Sequence, residues 1–298
     1  MIIFGAGLAG CIAGALNDKS VILEPQGNKT THQALMRFRT PYIGEAIGIP
    51  FKKIKVYKGI WHNDKPVELS PRYIALYSRK VSDSIAYRSI CNLETTERWI
   101  APIDFHDQLK DQLEDKITYN VDIKNTIDLS QISGIISTIP INILAELYGY
   151  TFPDISMNMS SIKVTKYKVP DCDVSMTYYY TDPTINVYRA SINGDELIME
   201  SMWDITKEEE KVVMRSFGLT GVIVKPIMKN FIQKNGKMRP IDNHIRKEFI
   251  YNMTLNHNVY SLGRFATWRN IVMDDVFKDI HRIKGWMNKS HYDRIIGE

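Results

Sequence analysis

The chain opens MIIFGAGLAGCIAGALNDKSVILEP, and the spacing of Gly5, Gly7 and Gly10 constrains the fold more than any other feature. Met1 to Phe4 is a short apolar run that fits a buried parallel strand, and Leu8 to Leu16 reads as a helix of alanine and other small residues. Between them, GAGLAG fits the pattern G-x-G-x-x-G. In a strand–turn–helix each glycine has its own task. Gly5 permits the tight turn, Gly7 lets backbone approach a pyrophosphate, and Gly10 lets the helix pack closely on the strand. The first N–H groups of the helix, at Leu8 and Ala9, would then face the phosphates with the positive end of the helix dipole. Val21 to Leu23 form a second buried strand ending at Glu24, where a ribose-binding acid belongs. The alternative is a glycine-rich turn that binds nothing. Strand, glycines, helix, second strand and acid in that order favour a dinucleotide site.

The 298 residues suffice for one large or two medium domains. A 44% hydrophobic, 24% charged composition suits a soluble globular protein with a sizeable core. The net charge of +4 permits an anionic partner without demanding one. Cys11, Cys91 and Cys172 lie far apart, form no CxxC pair and suggest neither a metal site nor a disulfide framework. A reducing cytoplasm is the expected compartment. No Lys or Arg precedes the opening apolar stretch, and about sixteen residues is short for a membrane span, so no signal peptide and no membrane partner are expected.

Further along, residues 34–38 suggest a short helical piece, broken afterwards by Gly44, Gly48 and Pro50. KKIKVYK (52–58) alternates as a strand does, and its lysines suit a protected edge better than a nucleic-acid track. Residues 72–77 and 84–90 read as strand or mixed segments. PIDFHDQLKDQLEDKITYNVDIKN (102–125) is a helix followed by a strand, and GIISTIP (134–140) another buried strand and turn. Segment 158–204 holds alternating strands, KEEEKVVMRSF (207–217) is a helix with a wet charged face, and the chain closes as strand, loop and helix. βαβ first, a mainly β middle, then a return to strand and helix implies an α/β architecture. A Rossmann-like nucleotide-binding domain is interrupted by a smaller, mainly β substrate domain of α+β character. The expected division is 1–60 plus 95–150 plus 240–298 for the first domain and 61–94 plus 151–239 for the second.

The N-terminal motif together with SLGRFATWRNIVMDD (261–275) resembles the FAD-dependent oxidoreductases of the glutathione-reductase type, most nearly the amine-oxidase and UDP-galactopyranose-mutase branch. That resemblance implies that Gly263 and Arg264 lie near the cofactor. It also implies that Met273, Asp274 or Asp275 begins a helix aimed at the isoalloxazine, whose positive end would stabilise a reduced-flavin anion. GIISTIPI (134–141) is similar to the strand preceding the substrate domain of this branch. ITYNVDIKN (117–125) resembles the strand whose backbone contacts adenine, which puts Val121 there. HQALMRFRTPYIGEAIGIPFKKIKV is similar to small phage-encoded flavoproteins of thymine hypermodification. Membership of that group would imply oxidation of a glycine-type amine on thymine in phage DNA, in the host cytoplasm.

The implied cofactor is FAD, bound non-covalently because no Cys or His stands in a linkage motif. The implied reaction is oxidation of a C–N bond of an amine or amino acid by hydride transfer to flavin, which needs no obligatory protein base. Arg37 and Arg39, two apart, would share a face in a strand, and either suits bidentate binding of phosphate or a substrate carboxylate. His32 resembles a flavin-proximal histidine of the mutase branch. Lys237 and Arg239 suit either an anionic substrate or a solvated turn, and Trp268 either a flavin wall or the core. Of the tyrosines, Tyr178 and Tyr180 would share one face and Tyr179 the other, so one set should be packing. Three alternatives stand beside this reading: a non-redox sugar-nucleotide mutase, a nucleotide-binding protein without catalysis, and an NAD-only enzyme. The last would have no use for the C-terminal Gly-Arg-to-helix closure.

Overall fold

The computed structural model describes residues 1–27, 32–82, 89–126, 134–152, 157 and 159–289. Its strands, in chain order, are β1 (Ile2–Phe4), β2 (Val21–Glu24), β3 (Arg37–Phe38), β4 (Lys52–His62), β5 (Lys65–Val67), β6 (Thr96–Ile100) and β7 (Ile117–Tyr119). They continue with β8 (Ile135–Ser137), β9 (Met159–Lys168), β10 (Ser175–Tyr180), β11 (Val187–Asn193), β12 (Glu196–Ser201), β13 (Lys225–Met238) and β14 (Val259–Ser261). They form two sheets.

The first sheet has the order β14-β8-β1-β2-β7 and every pairing in it is parallel. Its strands are short apolar runs because helices cover both faces. The helices Leu8–Ala15, Phe105–Gln112 and Met273–Met287 bury one face through Ile3, Ile12, Leu109, Val276 and Ile280. Ile141–Leu147 and Asn243–His257 bury the other through Phe4, Ile135, Leu144 and Phe249. Parallel register leaves all five C-terminal strand ends at one edge of the sheet, where ligands of such folds sit.

The second sheet runs β13-β9-β12-β11-β10-β4-β6-β3, with β5 added to β4. It is antiparallel except for the β10–β4 pair. One face packs under helix Lys207–Ser216 through Tyr180, Val187, Leu197 and Val213. That helix starts at a reciprocal capping box between Thr206 and Glu209. The other face meets helix Pro71–Ser82 through Ile60, Tyr77, Tyr179 and Tyr188. From that helix Lys80 Nζ donates to the carbonyls of Tyr180, Asp182 and Val187, tying the ends of β10 and β11, and burial pushes its ammonium down to about 7.

Several local expectations change. Residues 72–77 lie in a helix, with Pro71 at its first position, where the missing N–H costs nothing. Residues 34–38 hold no helix: Arg37 and Phe38 are β3, and the helix comes later, at Tyr42–Ile47, closed by Gly48 in the left-handed region. KKIKVYK lies inside the sheet order yet stays open along its length: among the described residues Lys52–Lys55 pair with β6 alone, Tyr57 and Lys58 with β10 alone, and Val56 with both. Helix Asn243–His257 has no counterpart in the sequence reading. Most of 84–90 lies outside the described residues. Strands β3, β4 and β6, from stretches assigned to the nucleotide domain, run in the second sheet. No helix among the described residues is long and apolar enough to cross a membrane.

Candidate dinucleotide site and the polar sheet face above it

Gly5 has φ +95°, a backbone that only glycine adopts freely, and a Cβ there would lie 2.6 Å from Thr138 Oγ1. A Cβ on Gly10 would lie 1.9 Å from the Gly5 carbonyl oxygen, so the helix could not sit this close to the strand with any other residue. Gly7 has an ordinary φ of −68°, and a Cβ there would meet nothing within 4 Å. Its absence of side chain therefore answers no internal need and leaves room beside the helix N-terminus. No side chain caps that terminus and no acid lies in its first turn, which suits a bound anion.

Glu24 ends β2 with one carboxylate oxygen 2.6 Å from Ala6 N and the other 2.8 Å from Gln26 N. The carboxylate thus stands over the glycine turn, and the same lone pairs suit ribose hydroxyls. Beyond it, Pro25, Val121, Ile123, Ile139 and Leu147 line a cavity of about 350 Å³ at the ends of β2 and β7. Val121 N donates to Glu24 O at 3.1 Å, which holds the two strand ends together.

The C-terminal segment returns to the same loop. Gly263 has φ +95°, and a Cβ there would stand 3.1 Å from Ala9 Cβ, so Gly263 and Arg264 lie against the start of the first helix. The helix Met273–Met287 begins after Val272. Asp274, 5% exposed, accepts from Arg39 N, Thr40 N and Thr40 Oγ1. Its carboxylate ties segment 39–40 to the helix start, while the Met273 backbone stays at the helix N-terminus.

Arg37 and Arg39 do not converge. Arg39 reaches an exposed ion pair with Asp275 at 3.2 Å, which contributes little by itself. Arg37 turns onto the second sheet, where Nη1 donates to Thr177 Oγ1 at 2.6 Å. Trp268 packs in the core beside Phe4 and Phe249, and its indole N–H donates to Arg239 O at 2.7 Å. Tyr178 and Tyr180 pack with Trp61 under helix Lys207–Ser216, whereas Tyr179 is on the opposite face. The alternation is as the sequence implies.

That opposite face carries a polar cluster that sequence reasoning missed. Tyr179, Arg189 and Glu200 are cross-strand neighbours on β10, β11 and β12. Arg189 grips Glu200 with both Nε and Nη2. Burial works against the Glu200 charge, but Arg189 holds the carboxyl below its usual range. Lys237 stands 4.2 Å over the Tyr188 ring. The turn at Gly194 and Asp195 offered a signal: counting back from the Asn193–Glu196 pair that flanks it puts Arg189 opposite Glu200.

His32 lies at this cluster. Burial, with help from His106, pushes its imidazole down to about 4. Its folded value thus lies below the ordinary 6.5, so unfolding takes up a proton as pH falls between them. The associated stability is complete above about 6.5 and is lost as pH falls through about 4, a loss of about 3 kcal/mol. His32→Gln should flatten the fall of Tm between pH 7 and 4.5. An equally steep fall in the variant would place the acid sensitivity elsewhere.

No family model and no curated protein matches this chain. Solved structures do match it in fold. An oxidoreductase from Methanosarcina mazei is 9% identical over 95% of this chain and 99% of that one, with a TM-score of 0.55. A geranylgeranyl bacteriochlorophyll reductase-like protein from Thermoplasma acidophilum is 12% identical over 95% of this chain and 76% of that one, at 0.50. A variant of the halogenase PltM, solved with FAD, is 9% identical over 96% of this chain and 68% of that one, at 0.51. This chain therefore shares its fold with these structures: a parallel Rossmann-like sheet joined to a second, larger and mainly antiparallel sheet.

Proposed function

We propose that this chain is a flavin-dependent oxidoreductase that binds FAD non-covalently between the glycine loop and the Gly263 turn. One observation carries the reading: three separate segments, Gly5–Gly10, Glu24 with Val121, and Gly263 with Arg264, meet at one edge of the parallel sheet, and each leaves the space or donors that a dinucleotide needs. The N–H groups at Leu8 and Ala9 would hold the pyrophosphate, Glu24 the ribose, and Val121 the rim of the adenine cavity. The Met273 helix start would face the isoalloxazine. Cys11 is the cysteine beside the loop; burial pushes its thiol up to about 12 and its Sγ lies 3.2 Å from Ala6 O. A thiol held protonated makes a poor covalent tether, which supports non-covalent binding.

The bound flavin would supply hydride acceptance from a C–H next to nitrogen. The chain's own part is to orient an amine or amino acid against the sheet face of Arg189, Glu200 and Tyr188 and to keep water away. His32, neutral at physiological pH, adds no charge of its own beside the amine. The mutase alternative needs paired arginines around a diphosphate, and the divergence of Arg37 and Arg39 counts against it.

The visible spectrum of the purified protein, before and after adding FAD, tests the cofactor. Oxidised-flavin bands are expected, with the flavin released into the supernatant on acid precipitation. Anaerobic addition of free amino acids, and separately of a glycine-modified thymidine oligonucleotide, should bleach the bands with the true substrate. A flavin bleached by neither would overturn the amine reading, and no flavin at all would overturn the whole proposal.

A further inference from the structure

The glycine loop is held from behind by a side chain far away in sequence. Ala6 lies between Gly5 and Gly7 and is pinned at both of its polar atoms. Its N–H donates to Glu24, and its carbonyl accepts from His106 Nε2 at 3.1 Å and from Cys11 Sγ at 3.2 Å. Cys11 stands in the helix that the loop opens, and His106 in the helix Phe105–Gln112 beside it. Ala6, Cys11 and His106 are all buried. His106 Nδ1 meets no partner among the described residues, and a carbonyl only accepts, so the ring proton sits on Nε2 and points at Ala6 O. Burial, with Lys110 one turn further along the helix, holds the imidazole below its ordinary value against the pull of its bond to Ala6. The ring therefore donates without adding a charge.

A trans peptide unit is planar, with its C=O and N–H pointing in opposite directions, and no cis peptide occurs among the described residues. The Ala6 carbonyl is drawn inward. The N–H of Gly7, in the same peptide unit, therefore faces outward. Gly7 is exposed, and a Cβ there would meet open space. One donor would satisfy a buried carbonyl, whereas two on its two lone pairs also fix its direction. The N–H groups of Leu8 and Ala9 take their aim from the helix itself, but that of Gly7, which precedes the helix, takes it from this peptide plane. A side chain needed only to fill the gap between the two helices could be leucine, as Leu109 is three residues further on.

We propose that His106 is a positioning residue of the cofactor site: by holding the Ala6 carbonyl inward, with Cys11 as second donor, it aims the Gly7 N–H at the diphosphate of the bound nucleotide. The choice of FAD as that nucleotide rests on the function proposed above; the aim of the N–H needs only a nucleotide diphosphate.

FAD and ADP titrations of the cofactor-free protein test this. H106L should weaken both by about tenfold or more. H106Q, whose amide N–H reaches about as far as the imidazole Nε2, should recover most of the loss, and C11A, which removes the weaker donor, should cost less than H106L. In protein carrying nitrogen-labelled glycine, the amide peaks of Gly7 and of Gly27, which lies beside Asn120 at the adenine end, report the two ends of the site separately. Each peak is assigned by its loss in the alanine variant. At saturating ADP both should move in wild type and in H106Q, whereas in H106L the Gly27 peak should move and the Gly7 peak should stay near its free position. H106L binding ADP as tightly as wild type would overturn the inference. So would a Gly7 peak that follows ADP in H106L as it does in wild type, an H106Q protein no better than H106L, or loss of both responses together in H106L, the mark of a merely structural role. His106-dependent ADP binding in a protein that takes up no flavin would sink the proposed function and leave the positioning role standing. FAD uptake indifferent to His106 would do the reverse, and a wild type that binds neither nucleotide would sink both.

Discussion

Alanine at Gly7 should weaken FAD binding and leave the fold untouched, whereas alanine at Gly10 should damage both. The two positions differ in what a Cβ would meet. At Gly7 it points into open space with an ordinary backbone, so the cofactor-free Tm of Gly7→Ala should equal that of wild type within a degree or so of experimental scatter. A methyl group there would stand where a pyrophosphate approaches the backbone, and FAD affinity should fall about tenfold or more. At Gly10 the Cβ would lie 1.9 Å from the Gly5 carbonyl oxygen, and backbone on both sides cannot yield cheaply. Helix propensity alone favours alanine over glycine by about 1 kcal/mol, so propensity predicts a gain. The clash predicts a loss of about 2–3 kcal/mol, and the clash should win. Chemical denaturation of the cofactor-free proteins, followed by FAD titration, separates the two effects. Wild-type FAD affinity in Gly7→Ala would mean that no phosphate lies against that backbone, whatever the rest of the loop suggests.

Gly5, Gly7, Gly10 and Glu24 were legible in the sequence because their task is local. A turn, a helix start and a strand end lie within a short stretch, and each residue type follows from its own backbone. The Thr206–Glu209 capping box is equally local but was not read, and Gly263 was named through the family resemblance rather than through the left-handed backbone it adopts. The misreadings share a different origin. Pro71–Ser82 carries Tyr73, Ile74, Tyr77 and Val81, types that also favour strands, and the period that marks it as a helix, Ile74, Tyr77, Ser78 and Val81, is set by contact with distant strands. KKIKVYK alternates as read, and which of its sides is paired at each residue depends on partners more than thirty residues away in sequence. Arg37 and Arg39 were expected to converge because they lie two apart. The strand ends at Phe38, and Arg39 already belongs to the segment pinned by Asp274. Trp268 follows the Gly-Arg turn yet is carried into the core by a left-handed backbone at φ +47°, rare for a bulky residue and invisible to periodicity.

The Arg189–Glu200 pair gives the second large prediction, and its two halves should not cost the same. Removing one partner of a buried pair leaves a charge without compensation, typically at 3–5 kcal/mol. Here the burial is unequal: the Glu200 side chain is 3% exposed and that of Arg189 is 30% exposed. Arg189→Met strands a carboxylate that water cannot reach, so it should cost about 3–4 kcal/mol, tempered by the attraction Glu200 feels from Lys237. Glu200→Leu leaves a guanidinium with a path to solvent and should cost about 1–2 kcal/mol. The pH dependence of the first variant carries a definite sign. In wild type, Arg189 holds Glu200 below its usual value, so that stability is present above 4.5 and lost as the pH falls through the lower folded value. Without Arg189, burial raises the carboxyl instead, and the penalty is present at high pH and relieved on protonation. The gap between wild type and Arg189→Met should therefore narrow from pH 8 to pH 5. The double variant Arg189→Met/Glu200→Leu should recover most of the loss, since a well-packed apolar pair often equals a buried ion pair in stability. A double-mutant cycle by urea denaturation at both pH values decides the matter. Equal costs for the two single variants, with no narrowing at pH 5, would show that Glu200 is not left charged and dry. The polar face of the second sheet would then owe its order to packing rather than to this pair. Recovery in the double variant together with loss of substrate-induced bleaching would instead assign the pair to substrate orientation, because the protein would then keep its stability and lose only the step that needs the pair's charges.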